Sequence, residues 1–192
     1  MKRSEINRAY REALACFQTY EWHLPPNAHW DITDCGLGNF DAVGLVLINL
    51  ADEPEYCEKL MYARQDQVTP LHTHAVKKED IICRQGRLSI ELWSEHPDKI
   101  AKGDRGSVPR NGESFAFRSG EAFVLEAGER VTLVPGVYHS FWPVDGPCII
   151  GEVSTANDDA HDNFFVDPDI GRFPQIEEDE PAEIHLIREN CV

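Results

Sequence analysis

Apolar side chains recur at helical spacing near the start of the chain and at strand spacing from about residue 40 onward. Ile6, Tyr10, Ala13, Leu14 and Phe17 make one apolar stripe, and Ser4 is placed to cap the helix that carries it. This predicts an N-terminal helical segment over 1–22, ended by His23-Leu24-Pro25-Pro26. The stretch from Trp30 to Phe40 holds Asp34-Cys35-Gly36-Leu37-Gly38-Asn39 and reads as a run of turn formers. Short strand-like runs follow at 43–50, 59–64, 68–74, 80–83, 88–93, 114–117, 122–125, 131–134, 138–142 and 148–155. Turn signals at 84–87, 119–121, 126–129 and 144–147 separate several of them. Many short strands at regular intervals predict a mainly β chain folded as a jelly-roll β-barrel over 40–156, with the helix packed outside. The charged, Gly- and Pro-containing stretch 94–112 is expected to be a surface loop. Residues 157–192 form a C-terminal segment in which Glu177-Glu178-Asp179-Glu180-Pro181 is exposed ahead of a short apolar run, 184–187. A length of 192 residues suits one domain.

Charge narrows the partners. With 34 acidic against 18 basic residues the net charge is −16, so the chain's field repels phosphate backbones and anionic lipid. Nucleic acid and membranes are not expected partners. No run approaches the roughly 18 apolar residues of a membrane helix, and the opening MKRSEINRAYREALACF lacks the apolar core of a signal peptide. Cys16, Cys35, Cys57, Cys83, Cys148 and Cys191 form no CxxC pair, and several sit in apolar runs. They read as reduced thiols of a cytoplasmic protein.

The chemistry concentrates in two motifs. In Thr69–Asp80, TPLHTHAVKKED, His72 and His74 stand two apart, so on a strand both imidazoles point to one face, and Glu79 follows five residues later. Nitrogen donors with a carboxylate suit Mn, Fe, Co, Ni or Zn rather than Ca or Mg. Further on, Val131-Thr132-Leu133-Val134-Pro135-Gly136-Val137-Tyr138-His139 places another His just past a Pro-Gly turn. The two motifs together resemble the cupin superfamily, whose first motif supplies His-x-His and Glu and whose second supplies a His. Here Pro135 and Gly136 are adjacent, where the superfamily has a residue between them. The resemblance makes His72, His74, Glu79 and His139 the ligands of one divalent metal, with coordination positions left open for a substrate.

A narrower resemblance covers nearly the whole chain. MKRSEINRAYREAL, WDITDCGLGNFDAVGLVL, EKLMYARQDQVTPLHTH, VPGVYHSFW, GEVSTANDD and GRFPQIEEDEP are similar to segments of the D-lyxose isomerases, cupin-type sugar isomerases. The resemblance implies aldose–ketose isomerisation, D-lyxose to D-xylulose and D-mannose to D-fructose, through a cis-enediol, with Mn²⁺ as cofactor and a homodimer as the assembly. The chain is shorter than some members between the first helix and Trp30.

Such a reaction moves a proton between C2 and C1 and needs an acid/base group and a charge to hold the enediolate. Lys77 lies inside the metal motif, where the family carries a lysine. Glu152 sits in an apolar strand, a position that demands a reason for a carboxylate. Asp167, before Pro168, belongs to a later segment that the resemblance places over the pocket, and it ranks slightly ahead of Glu152 as proton carrier. Lys59 and Phe141 are candidate substrate contacts, Phe141 because it shares a strand face with His139. Three His and one Glu also suit an iron-dependent cupin dioxygenase, and a noncatalytic sugar-binding cupin would keep the same metal set.

Overall fold

The computed structural model describes residues 1–155, 158, 161–171 and 175–190. Cys191 and parts of the GEVSTANDD and GRFPQIEEDEP segments lie outside the described residues.

Helix α1 (Arg3–Thr19) turns Ile6, Ala9, Ala13 and Phe17 into the interior. It begins before Ser4, so Ser4 lies in its first turn and does not cap it. The acceptor for Ser4 comes instead from the far end of the chain. Its N–H and hydroxyl donate to Asp179 at 2.9 and 2.7 Å. Strand β1 (His29–Thr33) corrects the reading of its residues as turn formers: Trp30 and Ile32 are buried and Asp31 and Thr33 face the other way, which is strand alternation. The turn is confined to the next residues, where the Asp34 carboxylate accepts from Gly36 and Gly38 N–H at 3.0 and 3.2 Å.

The remaining strands are β2 (Leu45–Asp52), β3 (Tyr56–Ala63), β4 (Thr69–Thr73), β5 (Glu79–Trp93), β6 (Arg105–Arg110), β7 (Glu113–Arg118), β8 (Ala122–Glu126), β9 (Arg130–Leu133), β10 (Tyr138–Thr155) and β11 (Phe164–Phe165). Strand β6 corrects the surface-loop reading of 94–112; its Val108 is buried in the core. The main sheet runs β1-β2-β3-β10-β5-β9-β6-β7, while β4 joins β10 and β11 and β8 joins β5. The pairings between these strands are antiparallel and wrap the sheet on itself as a jelly roll.

Two expected turns, 84–87 and 144–147, are bends inside the long strands β5 and β10. The pair stays in register from Tyr138↔Trp93 to Val144↔Arg87, shifts, and resumes at Ile150↔Cys83. Gly86 has φ +91°, and a Cβ there would stand 2.7 Å from the Pro147 carbonyl and 2.8 Å from Cys148 Sγ. Only glycine lets the two bends touch, so two strands turn the sheet's corner together without breaking.

Alternation in β2 and β3 feeds two interiors. Leu45 and Met61 join the barrel core with Ile81, Ile90 and Leu92 of β5, while Val46, Ile48, Leu60 and Tyr62 pack against α1 with Trp30 and Phe17. A sheet covered on both faces explains why β2 reads as apolar throughout. It leaves the barrel's inner face as the place for polar residues with a task.

Candidate active site and metal centre

His72 lies on β4 directly across from His139 on β10. His74 stands one residue past β4, Glu79 opens β5, and Lys77 occupies the loop between them. One donor atom from each of His72, His74, Glu79 and His139 falls within 4.8 Å of all the others, and all four residues are buried. Each imidazole is oriented by a backbone carbonyl: Nδ1 contacts Pro70 O at 2.7 Å for His72, Asp162 O at 2.5 Å for His74 and Val137 O at 3.3 Å for His139. A carbonyl only accepts, so the proton is assigned to Nδ1 and each Nε2 keeps its lone pair. Burial, with the nearby His139 and His74, holds His72 well below the usual imidazole range, which keeps it neutral.

The donor set fits a divalent cation. Nε2 of His74, Nε2 of His139 and Oε1 of Glu79 are buried and make no hydrogen bond, although Oε1 lies 2.9 Å from His139 Nε2 and 3.4 Å from His74 Nε2. Lone pairs and an anionic oxygen that face one another with no proton between them are satisfied together by one positive ion. Nitrogen and carboxylate donors place that ion among the transition metals and zinc.

A second cluster adjoins the first. The Lys77 ammonium lies 2.8 Å from Glu79 Oε2 and 2.9 Å from Glu152 Oε1, and Lys59 Nζ lies 3.5 Å from the same Glu152 oxygen. Glu152 is the register partner of Lys59 on β3 and of Ile81 on β5, so the strands deliver it to the inner face beside Glu79. Burial opposes the charge of Lys77, but Glu152 and Glu79 outweigh it and raise its pKa. Two lysines and two glutamates are thus matched in a space that excludes most water.

One cavity joins both clusters. His72, His74, Lys77, Glu79, Glu152, Lys59 and Phe141 all line it, so seven of the expected site residues meet there. His139 completes the metal set from behind, almost fully buried. Asp167 is the one that the structure does not bring in. It is exposed, does not line the cavity, and its Oδ1 accepts from Asp169 N–H at 2.9 Å within its own turn. Phe165, on the same segment, does reach the site: β11 pairs Phe165 with His72, and the two rings lie 5.2 Å apart.

Several site residues were not anticipated. Asp31 and Thr33 also line the cavity, and the alternation Trp30-Asp31-Ile32-Thr33 is the signal that could have found them. Asp162, whose carbonyl orients His74, has no local signal, because its partners are far away in sequence.

The family profile described as D-lyxose isomerase matches residues 27–190. A D-lyxose/D-mannose isomerase of Escherichia coli O157:H7 is 36% identical, the alignment covering 98% of each chain. The chain belongs to the D-lyxose isomerase family. It is by this membership a sugar isomerase. A D-lyxose/D-mannose isomerase of Serratia proteamaculans is 34% identical over 98% of the chain and 97% of that protein. Among solved structures, the L-ribose isomerase of Cellulomonas parahominis with L-ribose superposes with a TM-score of 0.66 at 16% identity, covering 92% of this chain and 98% of its own. That likeness establishes the shared cupin-like fold of this family member. Among the described residues no helix is long and apolar enough to cross a membrane.

Proposed function

We propose that the chain interconverts D-lyxose with D-xylulose, and D-mannose with D-fructose, through a cis-enediol, with Mn²⁺ held by His72, His74, Glu79 and His139. The observation that carries the reading is the meeting, in one cavity, of a buried His₃Glu donor set with the Lys77–Glu152 pair. A dioxygenase has no use for that second cluster. The bound ion would supply positive charge to the O1 and O2 of the sugar as the enediolate develops.

The other roles fall to the chain's own side chains. Glu152 takes the proton from C2 and returns it to C1, on one face of the sugar. Lys77 donates to O1 as negative charge develops there and recovers a proton from the O2 hydroxyl, so that no proton is gained or lost over the cycle. Its raised pKa keeps it the donor at neutral pH. Lys59 holds Glu152 in place and contacts sugar hydroxyls, and Phe141 forms an apolar wall. Asp167, ranked first on sequence, yields to Glu152 here because its carboxylate is turned into its own loop. The family resemblance supports a homodimer, and the free thiols support the cytoplasm as its location.

The test is ketose formation from D-lyxose and D-mannose by the Mn²⁺-loaded protein. Ketose appearing from D-lyxose, with solvent deuterium entering C1, is the expected result. Oxygen consumption with Fe²⁺ and no ketose would return the dioxygenase reading, and sugar binding with neither reaction the noncatalytic one.

A further inference from the structure

The loop 74–78 connects two metal ligands, His74 and Glu79, and carries Lys77 between them, yet it has no regular structure. Its ends are fixed by backbone bonds: Gly136 N–H donates to His74 O at 2.8 Å, and Thr155 N–H to Lys78 O at 3.0 Å. Its middle is not held by apolar packing, since Ala75 and Val76 are exposed. One buried carboxylate holds it. Asp162 Oδ1 accepts from Ala75 N–H at 2.7 Å and from Val76 N–H at 3.2 Å. Its Oδ2 accepts from Val76 N–H at 3.2 Å and Lys77 N–H at 2.8 Å. Three successive N–H groups converging on one anion form a nest, a concavity of partial positive charge suited to a carboxylate. The same residue's carbonyl accepts from His74 Nδ1 at 2.5 Å.

We propose that Asp162 is a positioning residue for the isomerisation, acting on the metal through His74 and on the sugar through Lys77. The inference rests on the isomerase reading for its second half and on the donor set alone for its first. Asp162 touches neither cluster's reacting atoms. It fixes the backbone from which Lys77 reaches Glu79 and Glu152, and it fixes the tautomer and plane of the His74 ring. Because Asp162 sits on the segment that also carries Phe165 against His72, docking of that segment and completion of the site become one event. Asparagine at this position would turn an NH₂ group toward N–H donors, break half of the nest and thereby shift the main-chain carbonyl that orients His74.

The test uses the full chain with Asp162→Asn and Mn²⁺ as the only metal. Mn²⁺ affinity is read from the electron paramagnetic resonance of the free ion, without substrate, and turnover of D-lyxose is expressed per bound Mn²⁺. Loss of an outer partner of a metal site costs about 10–100-fold in affinity or activity. The expected result is a fall of about that size in kcat per bound Mn²⁺, little change in KM, and weaker Mn²⁺ binding. A purely structural role would lower the melting temperature but leave kcat per bound Mn²⁺ and the Mn²⁺ affinity at parental values, and that outcome overturns the proposal. Should Asp162→Asn fail to fold, Asp162→Ser, which keeps one acceptor, carries the same test. If the parent converts no aldose, the isomerase reading falls separately, and unchanged Mn²⁺ affinity in the variant then rejects the role of Asp162.

Discussion

Two networks of carboxylates and cations, one in the cavity and one where the C-terminal segment clasps α1, use similar residues to opposite ends. In the clasp, Arg3 binds Glu178 at 2.7 Å and Glu189 at 2.5 Å, Asn7 donates to Glu180 at 2.7 Å, and Arg11 pairs with Glu183. Arg3 is buried, but the Glu178 side chain is 58% exposed. Water reaches the Glu178 and Glu183 carboxylates, so a pair such as Arg11–Glu183 stabilises the fold weakly and can be lost alone. In the cavity, Lys77, Glu79 and Glu152 have side chains no more than 8% exposed. There a missing partner strands a charge in a low-dielectric space, which costs about 3–5 kcal/mol. A network of that kind is a weak way to gain stability, and its place beside the His₃Glu donor set points to chemistry.

The comparison is broken most severely by touching the metal donors. His139→Ala should remove bound metal and activity together, by more than the roughly 100-fold that outer partners cost; metal analysis by mass spectrometry alongside a ketose assay checks it. Next comes Glu152, the proposed proton carrier. Glu152→Gln should lower kcat by about 10²–10⁴-fold with metal content retained, whereas Asp167→Asn should leave kcat unchanged. The reverse result would transfer the role to Asp167 and to the covering segment.

The clasp should respond on a smaller scale. Arg3→Met removes hydrogen bonds to two carboxylates and to the Ile184 carbonyl and should cost about 1.5–3 kcal/mol. At about 2–4 °C per kcal/mol for a chain of this size, a thermal melt will detect it, with kcat per folded molecule unaffected. The pH response follows from the same contacts. The Arg3 hydrogen bond holds Glu178 below its ordinary value, and the Ser4 hydroxyl and N–H do so for Asp179. Carboxyls depressed in the folded state stabilise it above their unfolded pKa, about 4, and that contribution disappears as pH falls through the folded values. Hydrogen exchange at the first turn of α1 should therefore quicken below about pH 4, ahead of exchange in β5 and β10. The smallest effect belongs to Arg11→Ala. Both members of its pair with Glu183 are largely exposed, and the change in stability should stay below about 1 kcal/mol.

The amino-acid sequence alone determined what depends on neighbours in the chain. The stripe on α1, the alternation in most strands and the motif residues His72, His74, Glu79 and His139 were legible because helix and strand periods and the ligand spacing are local properties. Lys77 and Glu152 were legible as anomalies, a lysine inside a metal motif and a carboxylate inside an apolar strand. Only the tertiary structure decided the rest. Gly86 and Gly146 look like turn residues from their neighbours, but β5 and β10 bend at the same corner, each supplying hydrogen-bond partners that keep the other a strand. Asp167 and Asp162 stand on one segment and are equally acidic by sequence. Which of them faces the site is set by the pairing of β11 with β4 and by three N–H groups more than 80 residues away. The exposed acidic tract near the C-terminus likewise became a clasp only once α1 was packed against it. Long-range hydrogen bonds and burial assign such residues their roles, and neither leaves a period in the sequence to read.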